Sequence, residues 1–546
     1  MDMFCYQCQE TLHNSGCVKM GVCGKTSECA DLMDVLLHAL RGLALAVKIS
    51  GKPLESDDAQ FIATALFATL TNTNFDLERI ENLIVEASAR RNVLTSENPD
   101  LFARCDEDVL QFTPSSRDAM IAKSESLRIE PTVDPERTSL REILTYGLKG
   151  LAAYAHHAAV LGFEDASVND FFVKALCAPL EEHSIDEWVA LVMECGKTAV
   201  AAMAILDKAN TSRFGDPEPT VVANTVGDRP GILVSGHDLL DLEELLIQTQ
   251  NEGIDIYTHG EMLPANAYPK LKKYAHLKGN YGGSWWKQPT EFELFHGPIL
   301  MTTNCLTPPR ASYRERIFTT GVTGFPGIKH IPNREAGKMK DFSEIIQLAK
   351  SCAPPAPASD EEPASLVVGF ARATLEQSAP AVVEALKSGA IRRIIVMAGC
   401  DGRHTSREYF TEVAKKLPQD ALILTAGCAK YRFNKLDLGE IGGIPRLLDA
   451  GQCNDSYALA TIALKLREVL SVEEFPQLPI YLDLGWYEQK AVAVLLALFA
   501  LGFQGMRLGP TLPAFVSGNI LEFLVKNFGI APTTSSDADV SAMCAN

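Results

Sequence analysis

Three cysteines in this 546-residue chain each close an apolar or turn-forming run: RRIIVMAGC stops at Cys400, DALILTAGC at Cys428 and DAGQC at Cys453. The same grammar recurs at ILVSGH ending in His237, IDIYTHGE ending in Glu261, ILMTTNC ending in Cys305, and IYLDLGWYEQK carrying Glu488 and Lys490. Sulfur, imidazole and carboxylate delivered together suit iron carrying both sulfur and oxygen. A structural zinc takes four ligands, fewer than this set offers.

A second set sits at the amino terminus, where Cys5, Cys8, Cys17 and Cys23 follow the spacing C-x2-C-x8-C-x5-C. Four thiolates so close in sequence can close on one tetrahedral ion or one cubane, and Gly16, Gly21 and Gly24 supply the turns. Zinc is the alternative, although four-cysteine zinc sites usually come as two C-x2-C knuckles and here the second pair is C-x5-C. Cys29 is left over and reads as a packed thiol.

The elements that must position these groups follow from periodicity. An apolar run closed by Gly and followed by an amphipathic stretch reads as a buried parallel strand entering a helix. Ligands of such sheets collect outside the carboxyl ends of the strands, so the seven strand-end segments are expected to face one crevice. GILVSG, DLLDLEELLIQTQNEG and IDIYTHG make a strand, helix and strand of βαβ size. From Asp31 to about Ala209 apolar residues recur every three or four positions, which predicts an all-α region. Within it, His156 and His157 read as a partly exposed pair without a ligand role, and Cys105, Cys177 and Cys195 as core residues. The loop GNYGGSWWK is either a pocket wall or a packed aromatic turn. Gly215, Pro217, Pro219 and Pro230 mark one boundary, and the Pro- and acid-rich stretch Ser351 to Ser365 marks a linker. LVVGFAR opens the last region, with Cys352 beside the linker and Cys544 in a polar tail expected as solvated thiols. The expected domains are 1–220, helical; 221–355, α/β; and 356–546, α/β.

Composition narrows the function. A net charge of −19 repels phosphate backbones and anionic lipid, against nucleic-acid and membrane partners. The apolar run Ala491 to Phe503 is shorter than the roughly 20 residues a bilayer requires and reads as a buried helix. No secretory leader is recognised at Met1, so a cytoplasmic location is expected, and fourteen cysteines there argue for metal ligation or free thiols over disulfides. No G-x-G-x-x-G follows the strands and there is no P-loop, so a nucleotide site is not expected.

With these residues in view, the chain closely resembles the hybrid cluster protein family, also called prismane proteins or hydroxylamine reductases. The likeness runs through FCYQCQET, TLTNTNFD, YGLKG, SGHDL, YTHGEMLPA, MTTNC, GCDG, GCAKYRFNKL, DAGQCND and W-x-EQKA. It implies one helical and two Rossmann-like domains, similar to carbon monoxide dehydrogenases. It implies a 4Fe-4S cluster on Cys5, Cys8, Cys17 and Cys23, the branch with the short amino-terminal spacing. It also implies a hybrid 4Fe-2O-2S cluster on His237, Glu261, Cys305, Cys400, Cys428, Cys453, Glu488 and Lys490, with a persulfide on Cys400. The implied activity is reduction of hydroxylamine to ammonia and water, with Glu261, Glu488, His237 and Lys490 as proton-handling candidates and a separate protein as electron donor. Reduction of nitric oxide or S-nitrosylation of other proteins in nitrosative stress are alternatives for an anaerobic enzyme of this kind. A non-catalytic redox sensor is the alternative of another class. A monomer is expected.

Overall fold

The computed structural model describes residues 3–359 and 363–545; Asp360, Glu361 and Glu362 of the expected linker lie outside the described residues. The amino-terminal part is helical as its periodicity predicts, with long helices Ser27–Ser50, Leu77–Glu97, Pro135–Val160 and Ile185–Phe214. Their ends carry the usual chemistry. The Thr26 hydroxyl accepts from the Cys29 amide and Gly51 closes that helix at φ 67°, while Ser184 and Glu187 form a reciprocal capping box. Ile185–Phe214 is the one helix among the described residues long and apolar enough to cross a bilayer, and its Leu191, Val192, Cys195, Ala199, Ala202, Met203 and Leu206 are buried within this protein.

Sixteen strands follow among the described residues. They are β1 (Thr220–Ala223), β2 (Gly231–Ser235), β3 (Asp255–His259), β4 (Leu277–Asn280), β5 (Ile299–Met301), β6 (Ile317–Thr320), β7 (Lys329–Ile331) and β8 (Ser365–Val368); then β9 (Arg393–Gly399), β10 (Ala421–Thr425), β11 (Glu440–Ile441), β12 (Ile444–Pro445), β13 (Leu447–Asp449), β14 (Ile480–Gly485), β15 (Met506–Gly509) and β16 (Ala531–Pro532). One parallel sheet runs β4-β3-β2-β5-β6-β7 and the other β13-β10-β9-β14-β15-β16. Counted within each sheet, both orders are 3-2-1-4-5-6, the doubly wound arrangement. Their central strands are buried along both faces, which is why β2 and β10 are near-continuous Ile, Val and Leu runs, GILVS and ALILT.

Two readings of the carboxyl-terminal part change. LVVGFAR does form strand β8, but β8 pairs antiparallel with β1 instead of joining the last sheet. Its alternating burial, Leu366 and Val368 in and Ser365 and Val367 out, suits a ribbon with one wet face. The polar tail is a helix, Ser536–Cys544, anchored by the buried Met543. Cys544 and Cys352 are accordingly half-buried, as is Cys105, whereas Cys177, Cys195 and Cys29 are buried as expected.

Helix Gln489–Ala500 belongs in sequence to the last sheet, yet it packs between Pro135–Val160 and Ile185–Phe214. Two glycines permit the approach. A Cβ on Gly150 would stand 2.2 Å from the Gln489 carbonyl oxygen, and one on Gly196 would stand 2.1 Å from that of Leu496. Glycine inside a helix costs about 1 kcal/mol against alanine, so these positions trade helix propensity for contact.

Candidate functional site

In each sheet the strand order reverses between its first and fourth strands. In the first sheet this crevice lies between β2 and β5, whose exits carry His237 and Cys305; in the second it lies between β9 and β14, whose exits carry Cys400 and Glu488. Glu261 leaves β3, Cys428 leaves β10 and Cys453 leaves β13. One cavity is lined by His237, Glu261, Cys305, Cys400, Cys428 and Cys453 together with Glu488 and Lys490. All eight residues singled out in the strand-end motifs are therefore brought together.

Glycines make the convergence possible. A Cβ on Gly427 would fall 2.4 Å from the Gly399 carbonyl oxygen, one on Gly399 would fall 2.1 Å from that of Gly485, and one on Gly485 would fall 2.5 Å from that of Cys400. Three strand exits thus touch backbone to backbone. The Cys400 amide donates to the Gly485 carbonyl at 2.7 Å, and Arg407 Nη1 donates to the Cys400 carbonyl at 3.0 Å.

The polar groups are held in order. Glu261 Oε2 accepts from the Cys453 amide at 2.7 Å, while its Oε1 is buried with no hydrogen-bond partner. Lys490 Nζ lies 3.0 Å from His237 Nε2, 2.9 Å from Asn304 Oδ1 and 3.5 Å from Glu488 Oε1. If the ammonium donates to Nε2, the imidazole is neutral and its Nδ1–H donates to Thr303 Oγ1 at 2.8 Å. Glu488 Oε2 also caps its helix, accepting from the Lys490 amide at 2.8 Å. Donor atoms of His237, Glu261 and Cys453 all lie within 4.8 Å of one another.

Electrostatics follow from dryness. Burial pushes the Cys400 thiol up to about 12 and raises Cys305, Cys428 and Cys453 as well, with neighbouring carboxylates and thiols adding to the effect. Burial also raises Glu261, and it drives His237 well below its ordinary value with help from the Lys490 and His157 charges. For Lys490 burial works against the charge, but Cys453, Glu488 and Cys305 outweigh it and the ammonium is held above its usual range. A set of thiols that cannot ionise unaided, beside a carboxylate oxygen with no partner, fits a strongly electrophilic metal centre.

Several contributors escaped the sequence reading. His156 and His157 are buried, not partly exposed, because their helix face packs on Phe67; the His157 ring centroid is 6.2 Å from that of His237. Gln452 Nε2 donates to the His237 and Glu261 carbonyls and ties the two sheets together. Asp401 gathers Ser284, Trp286 and Arg432, and Trp285 stacks on Tyr487 at 4.6 Å, so the GNYGGSWWK loop walls the cavity. Asp401 and Gln452 lie beside site cysteines in GCDG and DAGQC, the one signal that points to them.

The amino-terminal cysteines form a second group. Cys5 and Cys17 exchange backbone hydrogen bonds at 3.0 and 2.8 Å, and a Cβ on Gly21 would stand 2.9 Å from Cys23 Sγ. Burial raises the Cys5 thiol to about 11 and raises Cys8 further, each within the field of the other cysteines. Cys5 and Cys23 are half-buried, with exposed Leu12, Met20 and Val22 around them. The loop also touches the larger site directly. Gln489 Nε2 donates to the Gln7 carbonyl at 2.7 Å and the Gln9 amide donates to the Tyr487 carbonyl at 2.9 Å.

A helical region joined to two doubly wound sheets whose reversal points share one thiol-, imidazole- and carboxylate-lined cavity is a narrowly defined class of protein. The chain belongs to the Prismane/CO dehydrogenase family, whose sequence model matches residues 3–541. Proteins named hydroxylamine reductase from Chlorobaculum tepidum and Nitratidesulfovibrio vulgaris are each 54% identical, with all of both chains covered. Another from Halothermothrix orenii is 53% identical over the same full extent. Among solved structures, carbon monoxide dehydrogenase IV from Carboxydothermus hydrogenoformans superposes with a TM-score of 0.57 at 15% identity, over 98% of this chain and 92% of that one. This last likeness is one of fold.

Proposed function

We propose that the chain is an iron-sulfur oxidoreductase that reduces hydroxylamine to ammonia and water, NH2OH + 2e⁻ + 2H⁺ → NH3 + H2O. The observation that carries this reading is the convergence of four thiols, an imidazole and two carboxylates on one cavity, with Glu261 Oε1 unpartnered there. The full-length relatives named hydroxylamine reductase support the choice of substrate.

His237, Glu261, Cys305, Cys400, Cys428, Cys453 and Glu488 are the residues that would hold the hybrid 4Fe-2O-2S cluster, with Cys400 as the persulfide position. Cys5, Cys8, Cys17 and Cys23 would hold a 4Fe-4S cluster. Bound in the cavity, the hybrid centre supplies the Lewis acidity and the two electrons that N–O cleavage needs. The chain does the rest. Lys490 and Glu488 stand 3.5 Å apart at the wall, where the ammonium can donate a proton to the departing oxygen and the carboxylate can take up the next proton from outside the cavity and pass it on to the nitrogen. Thr303 fixes the His237 ring, and Gln452 fixes the two backbone turns that present His237 and Glu261. Trp285 and Tyr487 stack across the cavity and keep water from it. Electrons would enter at the amino-terminal cysteines from a separate donor protein, because that loop is bonded to Tyr487 and Gln489 on one side and exposed on the other.

A second reading, reduction of nitric oxide, has its own observation. A second cavity that Cys400 and Cys453 also line is walled by Leu484, Trp486, Val494, Leu495 and Leu508, apolar residues that suit an apolar gas better than hydroxylamine. Anaerobic preparation, iron and zinc analysis, and turnover of hydroxylamine and of nitric oxide with one artificial reductant test the proposal. Iron in two spectroscopically distinct centres with hydroxylamine turnover supports it; stoichiometric zinc, or an iron-loaded protein that turns over nitric oxide alone or nothing, overturns it.

A further inference from the structure

Beside the amino-terminal cysteines lies a cavity of about 280 Å³ that the proposed reaction does not use. At ~30 Å³ per water in bulk, that is room for several waters or a small polyatomic ion. Cys5 lines one wall, and the rest carries Lys25, Arg41, Arg128, Arg141 and Lys149 against two carboxylates, Asp34 and Glu142. A surplus of cations is unexpected in a chain of net charge −19.

The pairing inside the cavity is incomplete. Arg128 and Arg141 have acid neighbours, Asp31 at 3.6 Å and Glu142 at 3.5 Å. Lys25, Arg41 and Lys149 have no carboxylate within ion-pair distance among the described residues. The Lys25 ammonium, in a residue 3% exposed, stands 2.8 Å from the Met33 sulfur. Lys149, 6% exposed, donates to the Gln7 side-chain oxygen at 3.2 Å. Arg41 Nε is buried without a hydrogen-bond partner. Burying a cation without a partner costs several kcal/mol, and a bound anion would compensate it. Burial lowers Lys149 to about 8 and Arg41 to about 10, the direction that an anion in the cavity would reverse.

We propose that this cavity is a binding site for a small oxyanion, held by Lys25, Arg41 and Lys149. The site stands on the cavity alone. A consequence for the neighbouring centre rests on reading Cys5, Cys8, Cys17 and Cys23 as cluster ligands: negative charge beside Cys5 disfavours adding an electron, so an occupied site makes that centre harder to reduce. Lys25 and Lys149 both lie in the field of Cys5, whereas Arg41 interacts with Arg141, Glu142 and Asp34 and with no cysteine. Arg41 is therefore the residue that separates an anion site from a set of counter-charges for the cluster.

The test uses iron-loaded protein and inorganic phosphate. Calorimetry is expected to give saturable one-to-one binding, at least tenfold weaker in Arg41→Gln and in Lys149→Met. Arg41→Gln is expected to retain iron and hydroxylamine turnover with an artificial reductant. In the wild type, redox titration followed by spin resonance is expected to place the midpoint of the amino-terminal centre at more negative potential with phosphate than in chloride. No saturable phosphate binding by the wild type, or equal binding by both variants, overturns the site. A midpoint that moves in Lys149→Met but never with phosphate overturns the redox consequence and leaves the lysines as counter-charges to the centre. Hydroxylamine turnover of the same wild-type sample reports separately on the proposed reaction.

Discussion

Gly150→Ala tests whether the contact between helices Pro135–Val160 and Gln489–Ala500 sets the geometry of the reacting cavity. The new methyl would lie 2.2 Å from the Gln489 carbonyl oxygen, where side-chain carbons essentially never come within 3.0 Å, so the backbones must part by at least 0.8 Å, the difference of the two. Gln489 is flanked by Glu488 and Lys490, and the displacement falls directly on them. A misplacement of about 1 Å costs on the order of 10²-fold in rate, or about 2.7 kcal/mol of barrier. The cysteines leave other strands, so iron content is expected to hold. The helix itself gains up to about 1 kcal/mol from alanine, partly offsetting an overpacking cost of about 1–3 kcal/mol, and the protein is expected to fold. The assay is kcat/KM for hydroxylamine under an artificial reductant, normalised to iron, with Gly518→Ala as control because nothing lies within 4 Å of its added carbon. A fall near 10²-fold with full iron is expected. Activity within twofold of wild type in iron-replete Gly150→Ala would refute the claim that this seat positions Glu488 and Lys490.

Other perturbations separate the parts of the site. Glu488→Gln keeps the helix-capping acceptor but loses the charge beside Lys490, so iron is expected to stay while hydroxylamine turnover falls about 10²- to 10⁴-fold, measured by steady-state kinetics; Cys428→Ser is expected to lose the strand-end centre in iron analysis. Cys8→Ser is expected to abolish turnover with a protein donor while spin resonance still detects the strand-end centre; loss of both centres would make the amino-terminal site structural. Asp483, buried in β14, is pushed up to about 7 by burial, with Asp539 adding and Tyr409 and Arg507 opposing. The folded protein therefore holds a proton that the unfolded chain releases near pH 4, and this contribution to stability is lost as pH rises from there through 7. Asp483→Asn never ionises, so its gain over wild type in thermal inactivation is expected to be larger at pH 8 than at pH 5, with about 4 kcal/mol as the ceiling.

The strand exits were legible because most carry a local signature: an apolar run long enough for a buried strand, a glycine, then a residue with a ligating atom, with Cys305 after ILMTTN lacking only the glycine. Doubly wound sheets present such exits on one side, so the sequence order of His237, Glu261, Cys305, Cys400, Cys428, Cys453 and Glu488 was enough to expect a shared crevice. Contacts between elements have no such signature. Nothing near Gly150 or Gly196 announces that another helix will lie against it, since an isolated glycine in a helical pattern fits several causes. His156 and His157 read as partly exposed for the same reason: an alanine-rich helix gives little periodic contrast, so its buried face cannot be told from its wet one until Phe67 and His237 are known to lie against it.

The tail and β8 show the complementary limit. Ser536–Cys544 has mostly small and acidic residues, and its place is held by Met543 and by Asp539, which accepts from Tyr409 and pairs with Arg507. Those partners are remote in sequence. Likewise β8 reads as the opening strand of a sheet by composition, yet its partner is β1, which precedes the whole first sheet, so β8 stands in a two-stranded ribbon while the following Phe370 amide donates to Asp449 of β13 at 2.9 Å. Local pattern decides what an element is, and pairing decides where it goes. The cavity residues escaped this uncertainty because their position depends on leaving the correct end of a strand, a property that the order of residues within the strand itself determines.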